Sequence, residues 1–298
     1  MATKGITLPD LIERFRCEDK CRDYLAHLRW PDGVACVRCG SVRVSIIAQR
    51  NQFECGDCRY QFSVRAGTLF HDSKLPLWKW FLAVYMMVES RKGISANQLK
   101  RTLGVTYKTA WYLCHRIRAA MKDTSVQPLD GVVEVDEAFL IMKQEGRVTL
   151  IGAVERDGEV RIKHVPNRSL KQVQGFVDEN ISDDAEAMYT DKYRAYTTAA
   201  KAKGLTHANV RKTGVQRDWV NGQVHTNTIE GVWSLFKRSV VGSYHKLSTK
   251  HLPAYLDEME FRYNNRDNPY LFRDALIALL TAERITYRAL VDKAGEAE

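Results

Sequence analysis

The sequence predicts an α/β protein: a mixed sheet flanked by helices, preceded by a cysteine-rich ribbon and a pair of short helices, and followed by a helical extension. Three observations predict it. Two Cys-x-x-Cys pairs stand early in the chain, helical periodicity gives way to short apolar runs near residue 130, and two of those runs, VVEVD and AMYTD, end on an aspartate. The pattern divides the chain into segments 1–30, 31–70, 71–125, 130–245 and 246–298.

With 298 residues, 45% of them apolar, the chain holds about two domains at ~100–200 residues each. The apolar stretch at 77–88 is interrupted by Lys79 and falls short of the ~20 residues that span a bilayer. No apolar leader precedes a cleavage site, so a cytoplasmic, nucleoid-associated protein without a membrane partner is expected. The net charge of +9 is unevenly placed: residues 1–125 carry 21 Lys and Arg against 11 Asp and Glu, the remainder 24 against 25. An asymmetry of that size points to a nucleic-acid footprint in the front part.

Residues 8–28 read as one amphipathic helix, with Cys17 and Cys21 as core. Beyond it, Cys36, Cys39, Cys55 and Cys58 form two knuckles at the spacing of a four-thiolate zinc site, each turn offering two sulfurs at ~2.3 Å from one structural Zn2+. Segments 42–47 and 52–54 alternate as strands of a small ribbon. Arg38, Arg43, Arg50, Arg59 and Arg65 decorate it, and few acids accompany them, which favours contacts with phosphates.

From Pro76 the periodicity is helical, with Trp78, Phe81, Leu82, Tyr85 and Met86 as a core stripe. Ser95 then caps a helix ending near Leu103, Gly104 supplies a turn, and Thr106 caps a second helix that points Ala110, Leu113, Cys114, Ile117 and Met121 inward. Two such helices read as helix-turn-helix. In that motif the start of the second helix enters the major groove of double-stranded DNA, here presenting Tyr107, Lys108, Thr109 and Tyr112. Lys100, Arg101, Lys108, Arg116 and Arg118 are expected on the solvent side; a hairpin used only for packing is the open alternative.

After a linker at 123–130 come a strand at 132–141 containing Asp136, a hairpin over 149–165 turned at Asp157-Gly158, a helix at 170–180 and a strand leading into Asp191. A helix at 193–203, a strand at 208–211 and a helix from about 225 to 237 complete the run, in the order of an RNase H-like mixed sheet. At about 100° per residue the last helix gathers Glu230, Ser234 and Lys237 on one flank, with Asn227 and Arg238 beside them, and Ile229, Val232, Trp233 and Phe236 on the other. An Asp ending a buried strand is costly unless its charge is compensated. Asp136, Asp191 and Glu230 together are what a pair of divalent cations requires. Glu134 and Glu137 read as peripheral, Asp183 and Asp184 as turn residues, and His225 and His245 as structural or surface. The helices from 251 onward are expected to pack on the sheet, a dimer surface being the alternative, and residues 294–298 to fray.

Taken together, RWPDGVACVRCG, VEVDE, YTDKYRAY, HTNTIEGVWSLFKR and HLPAYLDEMEFRYNNR make the chain resemble, over nearly its whole length, bacterial insertion-sequence transposases of the DDE type that carry a zinc ribbon before an RNase H-like domain. The resemblance implies binding of terminal inverted repeats, hydrolytic cleavage freeing a 3′-hydroxyl, and strand transfer into target DNA by a homo-oligomer, at least a dimer on the DNA ends. It implies two Mg2+ (or Mn2+) ions, with Asp136 bridging them, Asp191 holding one and Glu230 the other. It also sets Lys237, seven residues after Glu230, against a phosphate of the bound strand, with Arg238 next to it, and leaves open whether Asn227 or Glu230 is the third ligand. An RNase H-like nuclease or resolvase without strand transfer, and a DNA-binding regulator with an inert domain, are the competing readings.

Overall fold

A computed structural model describes residues 5–123, 125–142, 146–210 and 220–291. It divides into two compact units, Met1–Met121 with Asp267–Glu298, and Lys122–Arg266.

The first unit begins with two helices, α1 (Leu8–Arg14) and α2 (Glu18–Arg29), where the periodicity predicts one. Each has its own start signal: Thr7 and Asp10 form a reciprocal capping box on α1, and Glu18 and Asp19 place negative charge on the first turn of α2. Glu18 then accepts the Leu77 amide at 2.7 Å and pairs with Arg65, anchoring the second start. Cys17, expected in the core, is instead the exposed cap of α2, whereas Cys21 is buried as expected.

The ribbon is an antiparallel sheet of β1 (Val44–Ile47), β2 (Gln52–Cys55) and β3 (Gln61–Phe62), in that order. The two-residue β3 is too short to show any period in sequence. In α3 (Leu77–Glu89) the buried face is Leu77, Trp80, Phe81, Val84 and Met87, and Trp78 is 40% exposed, correcting the expected stripe. The helix is so uniformly apolar that its pattern does not single out one face. Helices α4 (Ala96–Leu103) and α5 (Tyr107–Met121) stand where two helices joined by a turn are expected. Ser95 accepts from the Gln98 amide at 3.1 Å, Thr106 from the Thr109 amide at 3.2 Å, and Gly104 takes φ +60°, a left-handed turn that glycine adopts without strain.

The second unit contains β4 (Val132–Met142), β5 (Gly146–Glu155), β6 (Val160–Val165), α6 (Leu170–Asn180), β7 (Ala187–Asp191), α7 (Arg194–Lys203), β8 (His207–Val210), a hairpin of β9 (Val220–Asn221) and β10 (Val224–His225), α8 (Asn227–Ser239) and α9 (Leu252–Asn264). The five-stranded sheet runs β6-β5-β4-β7-β8, antiparallel from β4 to β6 and parallel from β4 through β7 to β8. Arg211, the last residue of the strand expected at 208–211, and the frayed end expected at 294–298 lie outside the described residues.

Alternation along β4 splits the core in two. Val133 and Val135 face α6 and α7 with Val173, Phe176 and Tyr196, while Ala138 and Leu140 face α8 and α9 with Ile229, Trp233, Phe236 and Leu256. Glu134 and Asp136, in phase with Ala138, therefore share the α8 side.

On α9, Glu260 accepts the Ile162 amide of β6, and burial pushes its carboxyl up to about 8. A folded-state pKa above the unfolded value of ~4.3 means stability is fully present below ~4.3 and is lost as pH rises through about 8. Glu260→Gln keeps an oxygen for Ile162 but carries no charge. Thermal melts are expected to show it raising the Tm at pH ~8.5 by more than at pH ~5.

The chain then returns to the first unit with α10 (Leu271–Thr281) and α11 (Tyr287–Val291). The apolar face of α10 was expected on the sheet. It packs instead within this unit: Phe272 sits 6.1 Å from Phe15 and 5.8 Å from Phe81, and Leu279 accepts the Leu69 amide at 3.1 Å.

Candidate active site and nucleic-acid interface

Parallel pairing of β4 with β7 runs from Val132↔Ala187 to Glu134↔Tyr189 and then stops. Past that point the two strands no longer pair, part-way along β4 and close to the carboxyl end of β7, the kind of place where open α/β sheets leave a crevice. Asp136 and Asp191, each two residues beyond the last pair, meet there: carboxylate oxygens of Asp136, Glu137 and Asp191 lie within 4.8 Å of one another. Glu137, expected to be peripheral, is thus part of the cluster. It leaves β4 on the opposite side from Asp136, its carboxylate held by Arg168 Nη1 and the Tyr196 hydroxyl, both at 2.8 Å. Asp191 accepts the Tyr193 amide at 2.9 Å, which fixes its rotamer over the entry to α7.

Glu230 does not belong to that carboxylate group. It sits half-buried on the first turn of α8, accepting the Thr226 hydroxyl at 3.2 Å, and Asn227 is the exposed first residue of the helix. Lys237 and Arg238 are exposed on its last turn, where the Arg238 guanidinium returns to the Ser234 carbonyl at 3.2 Å. The helix lies close on the sheet because Gly152, paired with Asp136, has no side chain; a Cβ there would stand 2.6 Å from the Trp233 ring.

The sequence reading misses Glu134. Expected at the periphery, it is fully buried and bonded to Arg156, Thr228 and Ile229. Its signal was present in the alternation V-E-V-D, which sets it on the same face as Asp136.

In the ribbon the four predicted sulfurs come together. All lie within 4.8 Å of one another, with Cys36 to Cys58 and Cys39 to Cys55 both at 3.6 Å. Sulfurs ~2.3 Å from one tetrahedral ion stand about 3.8 Å apart, so the donor set fits zinc. Arg38, Arg43 and Arg50 are exposed; Arg38 covers the Tyr60 ring and Arg43 pairs with Asp57 at 2.8 Å. Arg65 serves the fold, bonding Glu18 and the Ser73 and Leu75 carbonyls.

On α5, Tyr107 and Lys108 are exposed, and Thr109 is half-buried. Tyr112 is half-buried as well, donating to the Ile285 carbonyl at 2.9 Å with its ring 5.5 Å from Tyr287. Arg116 and Arg118, expected on the solvent side, are buried at 4% and 2% exposure. Arg116 bonds the His71 carbonyl at 2.7 Å and its guanidinium lies over Trp80 and Tyr112, so the helix spends that charge on packing. Lys100 and Arg101 do face solvent.

The sheet order, the carboxylates within its first strand and at the end of its fourth, and the zinc ribbon ahead of them define an RNase H-like domain behind a zinc-binding module. Residues 128–264 match the ISXO2-like transposase domain, and residues 16–61 match the transposase zinc-ribbon domain. A protein of the transposable element ISH50 of Halobacterium salinarum is 28% identical over 284 residues, covering 84% of this chain and 92% of the relative. Residues 128–264 and 16–61 are thus similar to the transposase domain and the zinc ribbon of insertion-sequence transposases, which supports that class for the chain. Among solved structures, a chain of the simian T-cell lymphotropic virus intasome in complex with PP2A regulatory subunit B56 gamma aligns at 11% identity and a TM-score of 0.31, over 61% of this chain; this chain spans 65% of that one. No helix among the described residues is long and apolar enough to cross a membrane.

Proposed function

We propose that this chain is a transposase that binds the terminal inverted repeats of its element, hydrolyses the DNA to free 3′-hydroxyl ends, and joins those ends to target DNA in a Mg2+-dependent reaction. The observation that carries the proposal is the meeting of Asp136 and Asp191 just past the point where the parallel strands β4 and β7 stop pairing. Their all-oxygen donor set suits a hard cation such as Mg2+ or Mn2+. When bound, a pair of such ions supplies activation of the attacking oxygen and stabilisation of the leaving one.

Asp136 and Asp191 hold the metal, and the first turn of α8 contributes Glu230, with Asn227 at its exposed start. Lys237, about 10 Å further along that helix, offers an ammonium to a phosphate of the bound strand, and Arg238 offers a guanidinium beside it. Tyr107, Lys108 and Thr109, with Arg38, Arg43 and Arg50, hold the duplex, and two copies of the chain pair two ends.

The test is incubation of the protein with labelled DNA carrying the element's ends, with and without Mg2+. A 3′-end nick followed by a joined product is expected, both abolished by chelation. Nicking without joining would reduce the assignment to a nuclease, and DNA binding without cleavage would leave only a DNA-binding protein.

A further inference from the structure

We propose that Glu134 is the positioning residue of this site: it clamps the first turn of α8, and with it Asn227 and Glu230, at a fixed place over Asp136. The inference rests on the reading above that α8 and Asp136 serve one reaction. Glu134 has no solvent exposure, and a buried carboxylate is tolerated only when its oxygens are satisfied. One oxygen accepts the backbone amides of Thr228 at 2.8 Å and Ile229 at 3.1 Å. The other accepts Arg156 Nε at 2.8 Å and the Thr228 hydroxyl at 3.0 Å, and lies 3.1 Å from His225 Nδ1.

Those two amides are free donors of the first turn of α8, which a helix ordinarily satisfies with its own cap residue. Here it does not. Thr226 makes no side-chain cap, and its hydroxyl goes instead to Glu230 at 3.2 Å. The capping function has passed to a strand residue, so where the helix starts is decided by β4. Glu134 stands two residues before Asp136 on the same face, ~6.7 Å along the strand. Amides 228 and 229, which it grips, lie between Asn227 and Glu230.

Arg156 extends the clamp to the other strand. Its guanidinium holds Glu134, bonds His225 Nδ1 at 3.0 Å, and lies over the ring of Tyr189, which pairs with Glu134 and precedes Asp191 by two residues. One ion pair, its carboxylate buried and its guanidinium half-buried, therefore touches both strands that deliver aspartates and the helix that delivers Glu230.

The test compares full-length wild type, Glu134→Gln, Glu134→Ala and Thr228→Val. Outer partners that orient metal ligands typically carry about 10–100-fold in activity or metal affinity. For Glu134→Ala, kcat per folded molecule is expected to fall by that factor, with KM for DNA unchanged and the Mn2+ concentration for half-activity raised. Glu134→Gln retains one acceptor oxygen and is expected to fall between. Thr228→Val leaves the ion pair intact, so it folds even if the Glu134 variants do not, and a loss of a few-fold is expected.

Amide hydrogen exchange supplies a readout independent of catalysis: Thr228 and Ile229 are expected to exchange at least tenfold faster in the Glu134 variants, with the sheet amides unchanged. Folded variants with wild-type kcat, or with wild-type protection at 228 and 229, would overturn the proposal, as would a loss confined to Tm. If the wild type itself cleaves no DNA, the transposition reading fails, while the exchange rates and Mn2+ affinity still decide the clamp.

Discussion

Replacing Asp136 by Asn is expected to lower Mg2+-dependent DNA cleavage roughly a thousandfold, since several kcal/mol of charge stabilisation at ~1.4 kcal/mol per decade is at stake. The substitution is isosteric, so the core around β4 is undisturbed. Removing one negative charge from three carboxylates packed within 4.8 Å relieves repulsion, and the Tm without metal is expected to stay level or rise slightly. The diagnostic sign is the response to metal. A ligand that binds only the folded state stabilises it by mass action, so Mg2+ or Mn2+ should raise the Tm of the wild type and fail to raise that of Asp136→Asn. Binding to DNA ends, assigned to the ribbon and helix-turn-helix, is expected to remain within about twofold. Cleavage at the wild-type rate in the variant would remove Asp136 from the reaction.

Stripping zinc, or replacing the fully buried Cys55 by Ser, is expected to produce the largest change in stability. Structural zinc contributes ~10–16 kcal/mol of apparent free energy in small fingers, against the ~5–15 kcal/mol that holds a whole domain together. The ribbon has little else: its buried cluster is Cys36, Cys55, Phe62 and Ala66, with Trp30, Phe53 and Tyr60 packed around it. Two of those four are themselves members of the four-cysteine cluster. Chelation is therefore expected to collapse β1 to β3, release one zinc per chain, expose Trp30 to solvent in its fluorescence, and weaken DNA-end binding as Arg38, Arg43 and Arg50 lose their frame. The sheet of β4 to β8 has two core clusters of its own and is expected to keep its secondary structure. Retention of ribbon structure without metal would count against a zinc staple.

Where the chemistry is local, the residues were readable in advance. Cys-x-x-Cys knuckles need only a turn to bring two sulfurs together, and both pairs converge. The boundaries of α4 and α5 were set by Ser95, Gly104 and Thr106, whose capping and left-handed turn act over three or four residues. Errors concentrate where a side chain's surroundings come from distant chain. Trp78 and Trp80 stand two residues apart in an apolar helix, and what decides which is buried is Phe70, 4.8 Å from Trp80, not the periodicity. Arg116 looked like a DNA contact because it is charged; Trp80, Tyr112 and the His71 carbonyl turn it inward.

The sequence by itself determined the order of the main strands and helices of the sheet, the four cysteines that cluster and the two strands that carry Asp136 and Asp191, because each follows from the alternation, turns and spacing of neighbouring residues. The tertiary structure alone decided which acids meet. It added Glu137 to Asp136 and Asp191, left Glu230 on the adjacent helix turn, and turned Glu134 from a bystander into the cap of α8. The physical reason is that a carboxylate's role depends on which donors and charges stand within about 3 to 5 Å, and for Glu134 those donors, at 156, 228 and 229, are 22 to 95 positions away along the chain.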